Sequence, residues 1–316
     1  MRALALTFVL LAAAAAQNTS PNPTQKTTRN PPNRAQHGFL FWDISHHSVN
    51  FLLQPVPQTN PLRLAQLRQT FIDLLCGAAD LREQTFPNGR NLLCTLPETA
   101  PAASAPDPGH ESGTILFLAH YEHEGSGQSA IDNWSGALAL PFLYHALAAT
   151  PRQHTFIFAE VDGEAGAKTL FDSFTPQQRR AIKGVIALDA LGLGPAQFYI
   201  NPNDTYRNYG QMFLNSQLLQ AAADQRLPAP VTAIPGTWLK IDDTREFRHH
   251  GIPSIFIHSV AFNTRDLPGS ARDDASAIDR NTYFNTIVLL AYYAAELDQP
   301  WPSPFNTASR PSRGRH

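Results

Sequence analysis

Four side chains able to bind a metal stand at the ends of three apolar runs and at the start of one helix-like stretch. After Thr114–Ala119 (TILFLA) comes His120-Tyr121-Glu122-His123. Ahead of a helix-like apolar stretch comes Asp132-Asn133-Trp134-Ser135-Gly136. After Thr155–Glu160 (TFIFAE) comes Asp162-Gly163-Glu164-Ala165-Gly166, and after Gly184–Leu188 (GVIAL) comes Asp189-Ala190-Leu191-Gly192. Imidazole mixed with carboxylate is a donor set that Zn²⁺ accepts. A carboxylate can bridge two ions, and two-metal sites activate a shared water for hydrolysis. Each residue alone has a plainer use: Asp132 as a helix N-cap, His120 as a core histidine, Glu164 and Asp189 as loop acids. Their recurrence at successive strand ends favours the metal.

The apolar runs must position these side chains. They are continuous rather than alternating, as in strands covered on both faces, and Ser254–His258 (SIFIH) is of the same kind. Helical stretches are expected at Asn133–Ala149, Pro176–Lys183, Tyr206–Gln225 and Tyr283–Leu297, with an earlier helix over Leu62–Leu81 and a strand over Asn91–Leu96. Strands alternating with helices predict an α/β fold: a three-layer sandwich, a mostly parallel mixed sheet with helices on both faces. Functional residues in such sheets gather where strands end.

The remaining chain sets limits. Residues 1–16 combine Arg2, an apolar run and Ala14-x-Ala16, which reads as a secretory signal. Residues 17–37 and 300–316 read as disordered, leaving residues 38–299 as the folded body. A secreted or periplasmic location follows as an expectation, with no membrane segment after signal removal. In that setting Cys76 and Cys94 are expected to form a disulfide rather than stay as buried thiols. The chain carries 24 Lys+Arg against 26 Asp+Glu, so it lacks the basic excess of a nucleic-acid binder. Two cysteines exclude a four-cysteine zinc site. No Gly-x-Ser-x-Gly elbow points to a serine hydrolase. Of the 26 prolines, many lie in the two ends and in Pro101–Pro108. Trp134 reads as core at its helix start, and Trp238, in Gly236-Thr237-Trp238, equally as a pocket wall or core.

The ordered set His120-Tyr-acid, Asp132-Asn-x-Ser-Gly, Glu164-x-Gly and Leu188-Asp189-x-x-Gly resembles the M28 zinc exopeptidases, of aminopeptidase and carboxypeptidase-Q type. The likeness extends from Asn88-Gly89-Arg90-Asn91-Leu92 through Asp243-Thr244-Arg245-Glu246-Phe247 and Gly251-Ile252-Pro253 to Arg272-Asp273-Asp274. It implies a zinc-exopeptidase-like fold with one ion held by His120, Asp132 and Asp189. A second would be held by Asp132, Glu164 and a C-terminal histidine, with a further glutamate before the ligand glutamate as general base.

The chain departs from that pattern at two places. Where the family has Glu-Glu-x-Gly, this sequence has Gly163-Glu164-Ala165-Gly166. With Gly166 in register, Glu164 is the ligand and Gly163 replaces the base. Shifted by one, Glu164 is the base and Ala165 the lost ligand. Where the family has His-Ser-x-x-Asp, Gly269 stands in the histidine's place. Glu122 also replaces the aspartate that usually orients the first histidine. The resemblance therefore implies one zinc, a second site impaired at Gly269, and Glu164 as the available base. The expected function is a secreted metallopeptidase-type hydrolase acting on peptides or dipeptides with an incomplete dinuclear site. The alternatives are an inactive relative that binds peptides or a partner and, less favoured, a glutaminyl-cyclase-like enzyme. Rescue of the missing ligand by His123, His258 or the His249–His250 pair has no support in the spacing. His258 is expected at its strand's end near the site, and His249 and His250 in solvent.

Overall fold

The computed structural model describes residues 48–49, 52–99, 112–123, 125–198, 209–228, 230 and 243–299. The expected signal, linker and tail, the Pro101–Pro108 segment and Trp238 lie outside the described residues.

The described residues form one seven-stranded sheet. Its strands are β1 (Leu81–Phe86), β2 (Gly89–Leu96), β3 (Thr114–His120), β4 (Thr155–Val161), β5 (Ile182–Leu188), β6 (Gln197–Phe198) and β7 (Ser254–His258), in the order β1-β2-β4-β3-β5-β7-β6. The central strands β4, β3, β5 and β7 run parallel. Antiparallel pairings of β1 with β2, β2 with β4 and β6 with β7 complete the sheet.

Helices cover both faces. They are α1 (Asn60–Asp73), α2 (Ser135–Ala148), α3 (Gly163–Ser173), α4 (Pro176–Ala181), α5 (Tyr209–Asp224), α6 (Arg245–His249) and α7 (Arg280–Leu297). The strand runs look continuous because successive residues feed different cores. Ile115, Phe117 and Ala119 of β3 join the core under α1, α2, α5 and α7, while Leu116 and Leu118 join the core under α3 and α6. This is the α/β sandwich expected from the sequence.

The first helix is shorter than expected. It stops at Asp73, and Leu81 opens β1, which forms a hairpin with β2 through Phe86-Pro87-Asn88-Gly89. The expected Leu62–Leu81 helix ran past this point because nothing local marks where strand pairing begins. Likewise α4 ends at Ala181, and Ile182 and Lys183 already belong to β5. A capping box between Thr175 and Gln178 opens α4. Helix α3 was not read from the sequence; it buries Ala167, Leu170 and Phe171 at helical spacing. Cys76, in the turn after α1, is bonded to Cys94 of β2.

Candidate metal centre

His120 is the last residue of β3, and Asp189 directly follows β5. Both therefore stand at carboxyl ends of neighbouring parallel strands. Asp132 lies in a tight irregular segment, Ala130–Trp134, that leads into α2. One ligand atom from each of the three lies within 4.8 Å of the others. His120 and Asp189 are buried, while the Asp132 side chain keeps 24% of its exposure and opens the group to solvent.

Asp132 is not at the helix cap: it lies inside the irregular segment, and the N-cap position of α2 is Trp134. Its segment is set by other side chains. Asp273 accepts from the backbone N–H of Ile131 (2.6 Å), Asp132 (3.3 Å) and Gly269 (2.7 Å). Asn133 donates to the Leu188 carbonyl (2.8 Å) and accepts from the Ala190 N–H (3.1 Å). Ser135 accepts from the Leu191 N–H (2.9 Å). The Asn and Ser of the Asp-Asn-x-Ser-Gly motif thus tie the Asp132 segment to the two sides of Asp189. Trp134 is fully buried, as core.

His120 Nε2 lies 2.9 Å from Asp132 Oδ1, and its Nδ1 lies 3.2 Å from Asp243 Oδ2. Burial by itself disfavours a charged imidazole, but the Glu122 and Asp243 charges and the bonds to Asp132 and Asp243 outweigh it, so His120 is held protonated. Burial, followed by the Asp132 charge, raises the Asp189 carboxyl well above its ordinary range. Asp189 Oδ1 is buried without a hydrogen-bond partner among the described residues. A buried oxygen of this kind needs a partner. A divalent cation would supply one and displace the imidazole proton. The donor set and this orphaned oxygen fit a metal ion.

Glu164 stands outside this group. It lies in the first turn of α3, is largely exposed, and takes Arg245 Nη1 at 2.8 Å. Gly163 has φ +63°, and a Cβ there would stand 2.7 Å from Glu122 Oε1. Glu122 itself is buried, and the role of holding His120 Nδ1 falls to Asp243. Gly269 lies at the centre: a Cβ on it would stand 3.9 Å from Asp132 Oδ2. Among the described residues, no other histidine joins the three candidate ligands. His123 bonds the Gly127 carbonyl, His258 is buried at the end of β7 and accepts from the Val260 N–H, and His249 and His250 are exposed.

Asp243 and Asp273 were visible in the sequence only as parts of motifs, with no role attached. Arg63 was not visible at all. Its guanidinium bonds both ends of the segment between His120 and Asp132, and no local pattern announces such a contact.

The fold is of zinc-exopeptidase type, an α/β sandwich with a cluster of imidazole and carboxylate groups beside its strand ends. The chain belongs to peptidase family M28, which it matches over residues 102–294. No curated protein matches the sequence. Solved structures of similar fold include a zinc aminopeptidase from Bacillus subtilis, with a TM-score of 0.54 and 16% identity over 66% of this chain and 50% of that one. The LapA aminopeptidase of Legionella pneumophila gives 0.60 and 15%, over 81% and 71%. A glutaminyl cyclase from Macrostomum lignano gives 0.65 and 19%, over 89% and 98%. The chain thus spans about half the length of the Bacillus enzyme and nearly all of the cyclase.

Proposed function

We propose that this chain is a secreted or periplasmic zinc-dependent hydrolase of peptides or dipeptides, working with one ion. The observation that carries the reading is the convergence of His120, Asp132 and Asp189 within 4.8 Å around an orphaned Asp189 oxygen. These three residues would hold the ion. Zinc, when bound, supplies a Lewis acid and activates water at neutral pH.

The chain's own residues supply the rest. Asp243 fixes the His120 ring through Nδ1, so that Nε2 faces the other ligands. The partly exposed Asp132 leaves the side on which substrate and water approach. Glu164 is the candidate proton acceptor. It follows β4 by three residues from Val161, which pairs with His120. Its partner Arg245 is two residues from Asp243, the acid that bonds His120 Nδ1. Arg245 orients the carboxylate through the 2.8 Å pair. Gly269 offers no side chain for a second ion, which supports a single zinc.

The test is metal content and turnover on the purified full chain, using a panel of aminoacyl-anilides and dipeptides. One zinc per chain with hydrolysis is the expected result. Glu164→Gln should keep the zinc and lose ~10²–10⁴ in rate, the usual cost of removing a general base. Undiminished hydrolysis in that variant would remove Glu164 from the reaction. A chain without metal or turnover would instead be a non-catalytic relative, a reading favoured by the missing side chains at Gly163 and Gly269. Cyclisation of an N-terminal glutamine belongs in the same panel, since the cyclase likeness covers the larger share of both chains.

A further inference from the structure

Arg63 lies in α1, outside the residues that match the family, and its side chain is fully buried. Among the described residues its guanidinium donates hydrogen bonds only to backbone carbonyls. Nε donates to Pro57 (2.9 Å), Nη1 to Tyr121 (3.1 Å) and Glu122 (3.0 Å), and Nη2 to Gln128 (2.5 Å) and Ser129 (3.2 Å). A guanidinium has five N–H donors in a fixed planar fork, and here all of them are used.

The acceptors are not scattered. Tyr121 directly follows His120, and Ser129 stands three residues before Asp132. The fork therefore grips the segment between two of the three ligands at both of its ends. Asn60, one turn earlier in α1, accepts from the His123 N–H (2.8 Å) and adds a second hold on the same segment. Burial lowers the guanidinium's pKa to about 10, with Asp273, Glu122 and Asp132 acting in the opposite sense, so it stays charged at neutral pH.

We infer that Arg63 is a positioning residue of the metal centre, fixing the separation of His120 and Asp132 by clamping both ends of the loop between them. The inference rests on the reading of those two residues as ligands. Lysine cannot substitute, because one ammonium cannot span the separate carbonyls that the planar fork reaches.

Arg152 provides a matched control. It too is buried and bonds backbone carbonyls, but those of Pro97, Leu147, Ala148 and Thr150, around the end of α2. Arg63→Lys, Arg63→Gln and Arg152→Lys would be compared in the full chain. Two readouts are needed: zinc affinity by chelator competition, and amide exchange across residues 120–134 in the metal-free protein. The Arg63 variants should bind zinc ~10–100-fold more weakly, the usual effect of losing a group that orients a metal ligand. Their exchange over 120–134 should quicken while that of β5 does not. Arg152→Lys should lower the unfolding temperature yet leave both readouts unchanged.

Unchanged exchange over 120–134 in both folded Arg63 variants would overturn the inference, as would equal loss of zinc affinity in Arg152→Lys. Arg63 variants that fail to fold beside a folded Arg152→Lys would assign Arg63 to the fold as a whole, and would overturn it too. If the wild-type chain takes up no zinc, the function proposed above fails, while the exchange comparison still decides whether Arg63 clamps the loop.

Discussion

Oε1 of Glu122 stands 2.7 Å from the point where a Cβ on Gly163 would lie. Two departures from the family pattern thus meet in space. The longer acid at 122 fills room that any side chain at 163 would need, and Gly163 also adopts φ +63°, which favours glycine.

Gly163→Ala should therefore destabilise the protein for two separable reasons. The left-handed backbone alone costs about 1–2 kcal/mol for a residue with a Cβ. The contact with Glu122 adds to that. Shortening the acid in the same chain, with Glu122→Asp, should recover the contact part and leave the backbone part. Urea unfolding of the two single variants and the double variant measures the coupling, and strictly additive effects would show that the positions are independent.

Acid should weaken the fold through His258. Burial draws its imidazole down to about 4 from the ordinary 6.5. Between those values the unfolded chain binds a proton that the folded chain refuses. Stability is then complete above about pH 6.5 and falls as pH drops toward 4, by roughly 3 kcal/mol from this group. Unfolding free energies at pH 7 and pH 4.5 check this. His258→Gln should flatten the difference, because an amide does not titrate there.

Breaking the Cys76–Cys94 bond should also cost stability. The cysteines are 18 residues apart. The chain-entropy account gives about 3 kcal/mol for a loop of that size. Unfolding with and without reductant measures it, together with Cys76→Ala/Cys94→Ala as a reductant-free control. An equal midpoint in both states would show that α1 and β2 hold together without the link.

The sequence alone carried the layered architecture. Its four central strands were legible because a strand buried on both faces must be apolar throughout, and Thr114–Ala119 and Gly184–Leu188 are. His120 and Asp189 were legible for a related reason: polar groups directly after such runs fall at strand ends, where α/β sheets keep their sites, whereas Asp132 stood out only as the acid ahead of an apolar helix. The first helix was overextended because the switch from α1 to β1 depends on pairing with β2 across the hairpin, which the apolar spacing within α1 does not reveal.

Only the tertiary structure decided how the centre is supported and which acids enter it. Glu164 is placed by Arg245, 81 residues away, and His120 by Asp243, 123 residues away. The Asp132 segment is held by Asp273, and its approach loop by Arg63. Such bonds join residues distant in the chain and leave no periodic or local trace. A sequence fixes which donors exist and where strands can end; which donors face one another is settled by the packing of helices and loops around those ends.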